Sequence, residues 1–203
     1  MNLFISKEDI DAIKIFINEE PTELCGHLIT YDQIKTFDIE VKVPENERED
    51  RLILYVDYEA KMEEKSCQTK KYYRYLWHTH SKISKGYPSF KDILIPLRKK
   101  PERAFVFTTF GIWEIIRRFN LKPKKQLEKN FKQKEIQYFL KQIHLRTENG
   151  KKLGENLEQR EKNTLYIKHV LKNMQSMFEH YNVQMEIYFT SWDQIGDENY
   201  HLY

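Results

Sequence analysis

Trp77-His78-Thr79-His80-Ser81-Lys82-Ile83-Ser84-Lys85-Gly86-Tyr87-Pro88-Ser89-Phe90-Lys91-Asp92 holds two histidines two positions apart, then a Pro-Ser pair, then an aspartate three residues after the serine. The aromatic and apolar run before it (Tyr72, Tyr73, Tyr75, Leu76, Trp77) reads as a strand that delivers His78. In extended backbone, positions i and i+2 project to the same side, so His78 and His80 can present imidazole nitrogens to one ion. Ser89 is a good helix N-cap with Pro88 just before it. Asp92 then lies in the first helical turn, from which its carboxylate can turn back toward the histidines. Two neutral imidazoles and one carboxylate leave a fourth position open, as in catalytic rather than closed structural zinc sites. HxH alone is weak evidence and SxxD alone is an ordinary helix start. Their combination behind a buried strand is far more specific.

Toward the N-terminus, Pro21-Thr22-Glu23-Leu24-Cys25-Gly26-His27-Leu28-Ile29 carries an acid into a strand-like run. A zinc hydrolase needs a general base beside the ion. The metal lowers the pKa of its water to about 7, and a carboxylate takes the proton and later hands it to the leaving amine. Glu23 is the candidate base, while Glu19 and Glu20 read as solvated loop acids. His27 is near enough to line the cleft but reads as structural, and His144, His169, His180 and His201 lack a matching spacing.

Glu23-Leu24-Cys25-Gly26, followed by Trp77-His78-Thr79-His80-Ser81 and Pro88-Ser89-Phe90-Lys91-Asp92, resembles the JAMM metalloproteases, the catalytic branch of the JAB/MPN domain family. Thr108-Thr109-Phe110-Gly111-Ile112-Trp113 resembles the strand and turn that follow in that family, and the likeness spans residues 1–116. The resemblance implies a hydrolase: a zinc-dependent isopeptidase or peptidase of the deubiquitinase type, acting on ubiquitin or ubiquitin-like conjugates through a metal-activated water. It makes His78, His80 and Asp92 the Zn2+ ligands, Glu23 the general base and Ser89 a donor to the oxyanion of the tetrahedral intermediate. It also implies an MPN/cytidine-deaminase-like architecture. Three departures stand out. Eight residues, Ser81 to Pro88, separate His80 from Ser89, one more than is usual. Ser81 replaces a common proline, and the glycine that usually closes the first strand is replaced in the Ile29-Thr30-Tyr31 region. The extra residue falls in a loop, where insertions are tolerated. The alternative is a non-catalytic JAB/MPN-like interaction subunit of a larger assembly; the complete ligand set, present with its base, favours the enzyme.

The chain of 203 residues is one domain with an extension, or two small ones, and can bury a sizeable core. Hydrophobic content of 40% argues for a folded chain, and charged content of 32% for a soluble one. Two cysteines, Cys25 and Cys67, do not indicate a disulfide scaffold, so a reducing compartment and a packing role for Cys25 are the expectation. No signal-peptide pattern opens the chain, and no apolar run nears the roughly 20 residues of a membrane span. An intracellular, cytoplasmic location with no membrane partner is expected. HExxH, PCxxC, Walker A and GxSxG patterns are absent, which disfavours zincins, zinc deaminases, P-loop proteins and serine hydrolases.

The periodicities predict an α/β (α+β) fold, a mixed sheet flanked by helices. Ser6 with Asp9 resembles a capping box, and Ile10, Ile13, Phe16 and Ile17 form one helical face to about Asn18. Glu23–Tyr31 and Ile34–Val43 read as a strand pair, Leu52–Val56 as a buried strand, and the polar Tyr58–Lys71 as starting helical. Phe90–Ile95 is a short helix that Pro96 limits or kinks. Ala104–Thr109 and Ile112–Arg117 form a hairpin around Gly111. This core, residues 1–116, precedes a basic helical extension, residues 117–203, packed on it or continuing it. Within the extension, Lys124–His144 reads as a helix, Thr147–Gly154 as a linker, Glu155–Tyr181 as a helix capped by Asn182, and Val183–Phe189 as a strand. Residues 117–162 hold 14 Lys and Arg against six Asp and Glu, a local net of +8 in a chain of net +3. That excess either attracts nucleic acid or an acidic protein partner, or is the solvated face of a helix. The spread of the lysines and the absence of a nucleic-acid motif favour the solvated face.

Overall fold

The computed structural model describes residues 3–37, 42–56, 62–63, 66–67, 73–82, 86–89, 91–93, 96, 101–118, 159–180 and 184–202. In chain order the elements are β1 (Phe4–Ile5), α1 (Lys7–Glu19), β2 (Cys25–Thr30), α2 (Tyr31–Phe37), β3 (Arg51–Val56), β4 (Met62–Glu63), β5 (Ser66–Cys67), β6 (Tyr75–Thr79), β7 (Arg103–Thr108), β8 (Gly111–Arg117), α3 (Gln159–His180), β9 (Met185–Ser191), α4 (Trp192–Ile195) and β10 (Tyr200–His201). Eight strands make one mixed sheet in the order β10-β1-β3-β2-β6-β7-β8-β9. The β1–β3 and β6–β7 pairs are parallel and the others antiparallel. A parallel pair needs a crossover. The one from β6 to β7 spans the Ser89–Asp92 segment, which puts that segment outside the sheet, beside the end of β6.

Alternation along the strands divides the core. On β7, Phe105 and Phe107 face Ile10, Ile13 and Ile17 of α1, while Ala104 and Val106 face Val170, Met174 and Met177 of α3. Ser6 caps α1, its side chain accepting from the Asp9 N–H as expected. The C-terminal residues are built into the same sheet: β9 pairs with β8 along its length, and β10 pairs with β1.

The sheet curls. Tyr200, on the edge strand β10, donates its hydroxyl to Glu114 Oε2 on β8 at 3.0 Å. Arg103 pairs with the other oxygen of the same carboxylate. Glu114 is 0% exposed, and a buried charge persists only when paired and hydrogen-bonded. Tyr200→Phe is therefore expected to cost about 1.5–3 kcal/mol, the range for a hydrogen bond to a charged group, read by chemical denaturation. A change within error would mean the carboxylate does not depend on the tyrosine.

Two expectations are corrected. Ile34–Val43 does not begin as a strand, because Tyr31–Phe37 is helical. Both sides of β2 are occupied, by β3 and β6, so no ladder position is left for a hairpin partner. The Gln33 side chain accepts from the Thr30 N–H at 3.1 Å, and Ile34 packs with Ile29, Val43 and Ile53. Within Tyr58–Lys71, β4 and β5 pair antiparallel; residues 58–61, where the segment was expected to start helical, lie outside the described residues, as do 64–65 and 68–71. Cys25 is buried as expected but is disulfide-bonded, so packing is not its whole role. The expected Lys124–His144 helix, the Thr147–Gly154 linker and the Asn182 cap lie outside the described residues. The same is true of most of the basic stretch.

Candidate metal centre

Tyr75 and Trp77 of β6 join the α1-side core, so alternation turns His78 to the opposite side. Just past the strand, the His80 N–H donates to Phe107 O at 2.7 Å. His78 Nε2 and His80 Nε2 lie 3.3 Å apart. Asp92 completes a triangle, with Oδ1 3.1 Å from His78 Nε2 and Oδ2 3.2 Å from His80 Nε2. Four ligands at zinc-to-nitrogen or zinc-to-oxygen bond lengths of about 2.0–2.1 Å sit about 3.3 Å from one another in a tetrahedron. The three donor atoms thus have the spacing of one tetrahedral face, and the residues present fit Zn2+.

The surroundings hold these donors in place. Asp92 is 2% exposed and His80 6%. Burial alone would push the Asp92 carboxyl up, but the charge and hydrogen bonds of His78, together with His80, outweigh it and hold the group well below the usual carboxylate range. Ser89 and Asp92 cap one another. The Ser89 N–H donates to Asp92 Oδ2 at 2.5 Å, and the Asp92 N–H donates to Ser89 Oγ at 3.4 Å. Lys91, Asp92 and Ile93 are helical, and the Ile93 N–H reaches Ser89 O at 3.2 Å. Ser89 is therefore the N-cap that its sequence context indicates.

The β2–β6 ladder ends close to Glu23. Cys25 pairs with His78. One residue earlier, the Thr79 N–H donates to Leu24 O and the Leu24 N–H donates to Thr79 Oγ1, both at 2.8 Å. Glu23 is the next residue back along the chain, half-buried just before the strand that pairs with β6. Gly26 permits this packing of β2, since a Cβ there would lie 1.8 Å from Tyr55 O. His27 does not join the donors: it stacks on Tyr73 with ring centroids 3.6 Å apart and leans on Tyr55 at 4.7 Å.

Two side chains that the sequence reading passed over hold the crossover. Trp113 Nε1–H donates to Gly86 O at 3.0 Å, and Tyr87 is buried beside Ile93 and α3. Nothing in the strand pattern around Trp113 separates it from an ordinary core tryptophan. No protein-family model, curated protein or solved structure matches this chain, so the likeness to JAMM proteases stands on the quoted residues alone.

Proposed function

We propose that this chain is a zinc-dependent isopeptidase or peptidase that hydrolyses amide bonds of ubiquitin or ubiquitin-like conjugates. The observation that carries this reading is the triangle of His78 Nε2, His80 Nε2 and the Asp92 carboxylate, with edges of 3.1–3.3 Å. His78, His80 and Asp92 hold the ion, and three ligands leave room for a further one. When bound, Zn2+ supplies polarisation of the scissile carbonyl and an acidified water. Glu23, one residue before the Leu24–Thr79 bonds, takes a proton from the attacking water and returns it to the leaving amine. Ser89 Oγ accepts from the Asp92 N–H, which leaves its own hydrogen for the oxyanion that develops on the substrate carbonyl.

Ser89→Ala is expected to retain zinc, because the backbone N–H that Ser89 gives Asp92 is untouched. It should lower kcat by about 10²–10³, the loss typical of one oxyanion donor. Single-turnover cleavage beside metal analysis checks this, and unchanged kcat would leave Ser89 with the capping role alone. The reading as a whole is tested on the purified full chain by zinc content and by cleavage of ubiquitin conjugates, before and after chelation and zinc re-addition. One zinc per chain with chelator-sensitive cleavage is the expected result. Zinc without cleavage would favour the interaction-subunit reading, and no zinc affinity at all would remove the metal centre.

A further inference from the structure

The three donors come from two separate pieces of chain, and the sheet measures both from one row. Cys25, His78, Val106, Trp113 and Phe189 are Cα partners in successive ladders from β2 to β9. His78 and Trp113 thus lie on the same row two strands apart, about 10 Å at the usual strand spacing, with side chains on the same face. His78 is one donor. Trp113 reaches from the same row to the crossover that carries the other half of the site, its indole N–H bonded to Gly86 O in a buried bond.

Gly86, Tyr87 and Ile93 are each held by packing. A Cβ on Gly86 would lie 2.1 Å from the Phe110 ring, so the backbone is pressed against that side chain. Tyr87 is 4% exposed and packs against Tyr166 of α3 with ring centroids 5.9 Å apart. Tyr166 also meets Phe110 at 6.4 Å. Beyond the Ser89–Asp92 cap, Ile93 is 0% exposed in the same cluster as Trp113, Ile167, Val170 and Met174. Asp92 therefore sits between two anchors, one on the sheet row and one on α3.

We infer that Trp113 is a positioning residue for Asp92, fixing the third metal donor through Gly86, with Tyr166 of α3 as the second support. This rests on the metal-centre reading above and deepens it. Residues that orient metal ligands from outside the coordination sphere change affinity by about 10- to 100-fold when removed. A core tryptophan with no such role would change only stability.

The test uses the full chain, with Zn2+ and Co2+ as the probes. Trp113→Phe keeps the aromatic filling and removes the N–H. It is expected to fold, to bind Zn2+ about 10- to 100-fold more weakly, and to show an altered visible spectrum with Co2+. Tyr200→Phe is the control. It loses a buried hydrogen bond on the α1 side of the sheet, away from the crossover, and should keep both the Zn2+ Kd and the Co2+ spectrum of the wild type. If Trp113→Phe does not melt cooperatively, Tyr166→Leu takes its place with the same readouts. Wild-type affinity and spectrum in a folded Trp113→Phe would overturn the inference while leaving the metal centre standing. A wild-type chain that binds neither ion would overturn the metal centre and this inference with it.

Discussion

Glu23→Gln is expected to keep its zinc and lose turnover by about 10²–10⁴, the usual worth of a positioned general base. The substitution preserves size and removes only the ability to hold the proton. Glu23 lies outside the His78–His80–Asp92 triangle, so metal content should stay at the wild-type level. The neighbouring chain is held by two Leu24–Thr79 bonds, one between backbones and one to the Thr79 hydroxyl, which the change leaves intact, so the melting temperature should hardly move. Metal analysis, a thermal melt and single-turnover kinetics on the same sample separate these terms. Full activity in Glu23→Gln would mean another group carries the proton. Loss of both zinc and activity would place Glu23 among the ligands instead.

His80→Ala should strip the metal. Structural four-ligand zinc sites bind with about 10–16 kcal/mol at neutral pH, so one ligand is worth roughly 2.5–4 kcal/mol, or about 70- to 900-fold in affinity. The loss has a second part. Asp92 is 2% exposed and meets His80 Nε2 at 3.2 Å, so removing the imidazole leaves a buried carboxylate with one facing imidazole fewer. Stability of the metal-free chain should therefore fall as well, and the zinc-dependent rise in melting temperature should vanish. Equilibrium titration with Zn2+ and melts with and without the ion check both statements. Acid should release zinc from the wild type, because protons compete for the two imidazoles. Wild-type zinc content in His80→Ala would remove the residue from the site.

Local patterns determined much of this molecule. A short apolar run announced β3, two apolar runs around Gly111 announced β7 and β8, period-two alternation announced β9, and helical spacing announced α1 and α3, because each pattern reports a face that must be buried. His78 and His80 on one side of a strand, and Ser89 as the cap of the turn that holds Asp92, follow from rules spanning a few residues. Hence the candidate donors were legible as a set. The α4 turn was legible too, since Ser191-Trp192-Asp193-Gln194 has a capping-box signature, and Ser191 and Gln194 do cap one another; the sequence reading passed over it.

What only the tertiary structure decided is which strands meet. A strand reading from Ile34 onward is the same whether or not a neighbouring ladder is free. Because β3 and β6 flank β2, that segment turns helical and packs on Ile29 and Ile53 instead. The pairing of Glu114 with Tyr200 and Arg103 joins residues far apart in the chain. Trp113 carries the same message: its strand position was predictable, but its bond to Gly86 exists only because the β6-to-β7 crossover folds back over the sheet. Burial and period are properties of a segment and can be read one segment at a time. Register and partnership are properties of pairs of segments, and only the assembled sheet determines them.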